Sequence, residues 1–413
     1  MNNTIIVFEH QSLKIDDLKL RNALEIFRGD KKDFPYYSLI HNGIKFNSYV
    51  GVIQVGKTVI EILPKADKNN DENKWRNILI GMLRTVYNFD VKAPTQSSLK
   101  IKPNSILELY FEIFVKEVEY LLHTGLSKQY RKIENNLNSL KGRILFSKHV
   151  QKNLIHKEKF FVNYTTYDKE HILHKLLYKT LKLLQKINTN VALQSKICAL
   201  LLDFPEMPDI KVTEDTFNKI TYSRKTEAYR NAINIAKLLL LNYHPDIRGG
   251  SNSVLALMFD MNKLWEEFVY RSLKKYLKDC KISKQVHNPF WKCELKSKKI
   301  IPDIVINKGK KKCVVLDTKW KILDDNAENM SDSDLKQVFI YSLYFKAQKV
   351  ALVYPAGNGY KNENIEGKFE KIPNEIENRT CDLIFIEVNE NIKEWQEEIA
   401  SKIRDYISNS IIA

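Results

Sequence analysis

The stretch PDIVINKGKKKCVVLDTKWK (302–321) limits what this chain can fold into more than any other. Two short apolar runs flank a basic segment, which is the pattern of two strands joined by a loop. Each run nevertheless carries charge where a buried strand would exclude it: Asp303 before the first, Asp317 and Lys319 at the end of the second. Strand alternation puts Asp317 and Lys319 on one face and Leu316, Thr318 and Trp320 on the other. A solvated hairpin with incidental charges is one reading. The other is a phosphodiester-hydrolysing site, where carboxylates hold a hard cation and a lysine orients water or offsets developing charge. The second reading fixes a register. Mg2+ binds carboxylate oxygens at about 2 Å, so Asp303 must come alongside Asp317. A tight turn on Lys308 and Gly309 would pair Asp317 with Ile300 and leave Asp303 roughly 10 Å away. A wider loop centred near Lys310 sets residue 303 opposite residue 317, and this is the register expected.

Flanking segments add polar groups on helix-patterned sequence. Glu266 lies in MNKLWEEFV ahead of the hairpin, and Gln337 and Tyr341 share a face of SDLKQVFIYSLYF after it, being four residues apart. The 66 Lys and Arg against 50 Asp and Glu leave +16, a balance that favours a polyanionic partner such as nucleic acid. No apolar run approaches the roughly 20 residues a membrane span needs, and the start lacks the pattern of a secretory leader, so no membrane and a cytoplasmic location are expected. The five cysteines, Cys198, Cys280, Cys293, Cys313 and Cys381, show no CxxC pair and read as reduced, mostly core residues.

The expected fold class is α/β multidomain. Residues 1–98 read as a β-rich domain: a strand TIIVFEH, a helix with Leu18, Ala23, Leu24 and Phe27 on one side, then a period of two over 36–65 punctuated by His41-Asn42-Gly43 and Val55-Gly56-Lys57, a small antiparallel sheet or barrel. Residues 99–250 read as mainly helical, with a β insertion at about 140–168, Gly125 capping one helix, and long helices near 171–202 and 226–243. HPDIRGGS (244–251) is the boundary before an α/β domain, 251–413, that opens with a helix near 254–279 and closes with an amphipathic helix from about 391.

In this order the segments YVGVIQVGKTVIEILPK, LKGRI, FDMNKLWEEFV, PDIVI, VLDTKWK, QVFIY and LVYP resemble the McrC family, and the C-terminal part resembles the PD-(D/E)xK restriction-endonuclease-like superfamily. The resemblance implies the nuclease subunit of a McrBC-type modification-dependent restriction system, a type IV restriction endodeoxyribonuclease. It further implies that Asp303, Asp317 and Glu266 hold Mg2+ or Mn2+, that Lys319 is catalytic, and that Gln337 and Tyr341 buttress the site. The N-terminal half would engage a hexameric McrB-like AAA+ GTPase, which would read modified cytosine in double-stranded DNA. Arg131, Lys141 and Arg143 are basic candidates for stimulating that GTPase, or are solvated loop charges. Trp265 and Trp320 depart from the pattern, where smaller aromatics are expected. A catalytically silent scaffold or GTPase activator, and a stand-alone nuclease, are the competing readings.

Overall fold

The structure, a computed structural model, describes residues 3–31, 33–66, 71–87, 106–245, 253–293, 296–309, 313–323, 329–347, 349–357, 364–370 and 379–408. Two compact units divide the chain, one of residues 3–90 with 258–413 and one of residues 91–257. The first and last parts of the expected three-part division thus share a unit. The expected boundaries near 98 and 250 lie outside the described residues.

In the first unit, the strand Asn3–Phe8 runs parallel to Thr58–Leu63, which turns back antiparallel onto Tyr49–Val55 through Gly56 at φ 56. A second sheet orders Ser12–Lys14, Gly43–Phe46 and Tyr37–Ile40, all antiparallel. The N-terminal β region is therefore mixed rather than a single antiparallel sheet or barrel. Between Asn3–Phe8 and Thr58–Leu63 the chain has room for a crossover, which a parallel pair requires. The helix Leu18–Arg28 starts at Asp17, whose carboxylate accepts from Lys19 N at 2.8 Å. That cap places Leu18 in the first turn, where it is exposed, while Leu20, Ala23 and Leu24 face the core.

The C-terminal sheet has the order Ile282–Lys284, Ile304–Ile306, Val314–Thr318, Lys349–Ala356, Cys381–Glu387. Its first two pairings are antiparallel and its last two parallel. One face buries Val305, Val315, Val350, Leu352 and Leu383 with Val338, Tyr341 and Phe345 of the helix Asp332–Phe345. The helices Met261–Tyr276 and Ile392–Ser408 also pack against this unit: Trp265 Nε1 donates to Val353 O at 3.3 Å and Tyr406 OH to Val350 O at 2.9 Å. The expected helix near 254–279 is corrected in its first third. Val254–Asp260 is a strand, because VLALMF is a continuous apolar run, and the helix begins only where Asp260 caps Asn262 N and Lys263 N.

An aromatic cluster joins the two ends of the sequence within this unit. Trp75, from the helix Glu72–Tyr87, lies 6.5 Å from Trp320; Trp265 lies 5.6 Å from Trp320 and 5.5 Å from Trp395. Trp75, Trp265 and Trp395 are fully buried, which accounts for the large aromatics at 265 and 320: they fill space that spans both ends of the chain. The helices Glu72–Tyr87 and Ile392–Ser408 approach so closely that a Cβ on Gly81 would fall 2.2 Å from Ile392 Cγ1.

The second unit is a helical assembly of Ile106–Thr124, Ile172–Ile187, Val191–Asp203 and Arg230–Leu241, with a sheet ordered Gln129–Leu137, Phe160–Asp168, Arg143–Ile144. Gly125, at φ 90, ends the first of these helices as expected. The expected long helix over 171–202 is two, since Asn190 caps a new start by accepting from Leu193 N. Strand structure begins at Gln129, earlier than expected, because the apolar residues of QYRKIENNL, Tyr130, Ile133 and Leu137, stand three and four apart and show no period of two. Within the expected insertion, Phe146–Asn153 is helical. Among the cysteines, all free, only Cys313 and Cys381 are buried, so most are not core residues. No helix among the described residues is long and apolar enough to cross a membrane.

Candidate active site

The pairing of Ile304 with Leu316, Val305 with Val315 and Ile306 with Val314 is centred on residue 310. This is the wider register, and its continuation brings residue 303 level with residue 317; residues 310–312 of the loop lie outside the described residues. Asp303 precedes its strand, and its Oδ2 accepts from Thr318 N at 2.7 Å and Thr318 Oγ1 at 2.9 Å. Asp317 is 1% exposed, with Oδ2 in an ion pair 2.9 Å from Lys319 Nζ. Lys319 also lies 3.5 Å from Asp334, and its backbone N donates to Val353 O at 3.0 Å, fixing the chain just beyond the strand end.

Glu266 reaches this pair indirectly. Its Oε1 accepts from Gln285 Nε2 at 3.1 Å, while Gln285 N donates to Asp303 O at 2.9 Å. Gln285 sits at φ 46, a left-handed conformation that a non-glycine residue seldom takes, at the turn that joins these two contacts. Gln337 Nε2 donates to Tyr341 OH, which donates to Ile301 O at 3.1 Å. These two residues therefore hold the backbone two positions before Asp303 rather than touching a carboxylate.

Three contributors escaped sequence reasoning. Thr318 was assigned to the opposite face by alternation, but Asp303 lies outside its own strand and meets the Thr318 backbone and hydroxyl at the strand end. Gln285 carries no local signal. Asp334 had one: it stands in the first turn of its helix, three residues before Gln337 and so on the same side.

Burial dominates the electrostatics. It raises Glu266 to about 7, assisted by the charge of Asp303, and it raises Asp317 to about 7, again with Asp303 assisting and Lys319 opposing. Asp303 is raised for the same first cause, against the two bonds from Thr318. Burial would lower the Lys319 ammonium, but the carboxylates of Asp317, Asp334 and Asp303 outweigh it and the lysine stays charged. Tyr341 is pushed up to about 12 by burial and remains a neutral donor.

These acids are thus costly to ionise together and would be relieved by a cation. The donor set is all oxygen, which suits a hard ion such as Mg2+ or Mn2+, although the buried Asp317 Oδ2 is already paired with the Lys319 ammonium. Among the described residues no three His, Cys, Asp or Glu side chains converge as a ligand group, so Glu266 does not complete a cluster with the two aspartates here. Two carboxylates still fit Mg2+, which commonly keeps several waters and takes further oxygens from a phosphate.

The fold and site define a class: an α/β protein with an acidic pair and a lysine at adjacent strand ends, suited to hard-cation and phosphate chemistry. The family model "McrBC 5-methylcytosine restriction system component" matches residues 44–355, and the chain belongs to that family. Among solved structures, it is similar to a chain of a "refined half-complex from tetradecameric assembly of Thermococcus gammatolerans McrB AAA+ hexamers with bound McrC", with a TM-score of 0.66 and 20% identity over 98% of this chain and 100% of that one. It also matches a chain of the T. gammatolerans McrBC complex at 21% identity and a TM-score of 0.49, covering 67% of this chain and 88% of that one. A comparison with curated proteins gave no match.

Proposed function

We propose that the chain is the DNA endonuclease subunit of a McrBC-type restriction system, dependent on Mg2+ or Mn2+ and working in the cytoplasm with a hexameric AAA+ GTPase. The observation that carries this is the register of the two strands, which sets Asp303 beside Asp317 and leaves Lys319 ion-paired at the same point. Asp303 and Asp317 would hold the cation, with Glu266 close enough to be shifted by Asp303. When bound, the ion supplies Lewis-acid polarisation of the scissile phosphate and acidifies a water. Lys319 stays protonated through contact with Asp317 and Asp334, so it can pair with a phosphate oxygen or orient the attacking water. Thr318 fixes Asp303, while Gln337 and Tyr341 hold the Ile301 carbonyl and with it the approach of the chain to Asp303.

The partner assignment is supported by the family match and by the relative whose description places McrC on McrB hexamers. By this reading the ring selects modified cytosine and this chain cuts double-stranded DNA. Mixing the chain with a cognate AAA+ GTPase should give comigration and faster GTP turnover. Asp303→Ala, Asp317→Ala and Lys319→Ala should each abolish cleavage of modified DNA while preserving comigration. A wild-type cutting rate in any of the three removes that residue from the site, and no comigration removes the ring partner.

A further inference from the structure

A two-stranded hairpin, Asn288–Lys292 with Ser297–Ile300, leads directly into the site through Ile301 and Pro302. Its ladder skips from Pro289 to Trp291, so Phe290 is an extra, bulged residue and two aromatics follow one another on one short strand. Phe290 is 47% and Trp291 53% exposed. Phe290 stands edge-on to Tyr344 at 5.7 Å, and Tyr344, itself 45% exposed, lies on the helix that carries Gln337 and Tyr341. Trp291 has no ring or cation partner among the described residues. Lys292, Lys296, Lys298 and Lys299 are exposed on the same hairpin, and none is paired with an acid among the described residues.

We infer that this hairpin grips the DNA strand being cut, its lysines on phosphates and Trp291 stacked on a base that has left the duplex. Lys299 precedes Asp303 by four residues and Lys296 by seven, so at about 3.3 Å per residue they lie at most roughly 13 Å and 23 Å along the chain from Asp303, with Lys292 paired across the hairpin at Ser297. Measured against a rise of about 3.4 Å per nucleotide, Lys299 meets the backbone within roughly four nucleotides of the scissile phosphate and the lysines nearer the hairpin tip within roughly seven. Charge alone would suit an intact duplex. The exposed ring faces do not, since a paired base offers its faces to its neighbours and only an unstacked one is free to stack on Trp291. The inference rests on the nuclease reading for the position of the scissile phosphate, but its test reads binding alone.

The full-length chain is titrated with a fluorescent duplex and with the same duplex carrying a short single-stranded gap, in EDTA so that nothing is cut. Replacing the four lysines by alanine should flatten the dependence of log K on log salt by roughly 3, at about 0.7–0.9 for each lost phosphate contact. Trp291→Ala should weaken binding to gapped DNA by roughly 5- to 150-fold, with a much smaller change on the intact duplex, and Trp291→Phe should restore most of the loss. Lys211→Ala with Lys219→Ala, in the second unit, serves as the charge control and should leave the slope nearly unchanged. An unaltered salt slope in the four-lysine variant overturns the inference, as does wild-type affinity of Trp291→Ala for gapped DNA or an equal loss on both DNAs. Circular dichroism verifies that each variant is folded, and a wild-type chain that binds in this way but does not cut in Mg2+ with its partner would count against the nuclease reading only.

Discussion

Glu9 offers the most quantitative test of how the N-terminal strands are built onto the catalytic strand. Its side chain is buried against Trp320, one residue beyond Lys319: Oε1 accepts from Trp320 Nε1 at 2.7 Å and from Lys65 N at 2.9 Å, while Oε2 is buried without a hydrogen-bond partner. The nearest base, His10, is 3.9 Å from Oε2, but its own pKa is lowered by burial and by Lys45, so it does not neutralise the acid. Burial raises Glu9 from 4.5 to about 7, against the two bonds it accepts. The unfolded chain therefore gives up this proton near 4.5 while the folded protein keeps it until about 7. Its contribution to stability is full below the unfolded value and is lost as pH rises through the folded one. At about 1.4 kcal/mol per tenfold change in proton affinity, the loss is about 3 kcal/mol. Glu9→Gln keeps an acceptor for Trp320 and removes the titration. Urea denaturation of both proteins, in EDTA at constant ionic strength, should show the variant gaining about 3 kcal/mol on wild type between pH 4.5 and 7, and a constant difference above. A difference that does not change with pH, or that changes in the opposite direction, refutes the argument.

Other perturbations separate positioning from chemistry. Thr318→Val removes the hydroxyl bond to Asp303 and keeps the backbone one; with a charged-group bond worth about 1.5–3 kcal/mol, cleavage should drop roughly 10-fold or more at unchanged circular dichroism. Tyr341→Phe leaves Ile301 O without its donor, which should cost about 1 kcal/mol in urea denaturation and lower kcat more than it raises KM. Trp265→Ala opens a cavity in the aromatic cluster and removes the bond to Val353 O, so stability should fall by about 3–5 kcal/mol in the same assay.

Alternation and a metal's need for adjacent oxygens were enough to choose the hairpin register, since a shift by even one residue would have moved Asp317 to the other face. The two glycine turns at 43 and 56 and the final amphipathic helix were legible for equally local reasons. What the sequence concealed depends on contacts between distant segments. The first strand pairs in parallel with residues 58–63, and no local pattern announces a parallel partner. VLALMF could be helix or strand on hydrophobicity alone, and Asp260 decides it only once recognised as a cap. At the site, the acids and the lysine were visible as charges out of place. Thr318 and Gln285 were not, because a threonine beside a conspicuous aspartate and a glutamine in a turn look ordinary until their partners 15 and 19 residues away are known. The tryptophans that departed from the expected pattern proved to be one packing unit, with Trp75 and Trp395 supplied by segments far apart in the chain.

The central claim is that Asp303, Asp317 and Lys319 form one cation-dependent phosphodiesterase site. It is tested most directly by single-turnover cleavage of a duplex bearing modified cytosines, with the cognate GTPase and GTP, comparing wild type and Asp317→Asn in Mg2+ and in EDTA. The account predicts cleavage by wild type in Mg2+ only and none by the variant, with GTP turnover the same in both. Cutting by Asp317→Asn at the wild-type rate, or wild-type cleavage that persists in EDTA, would contradict it.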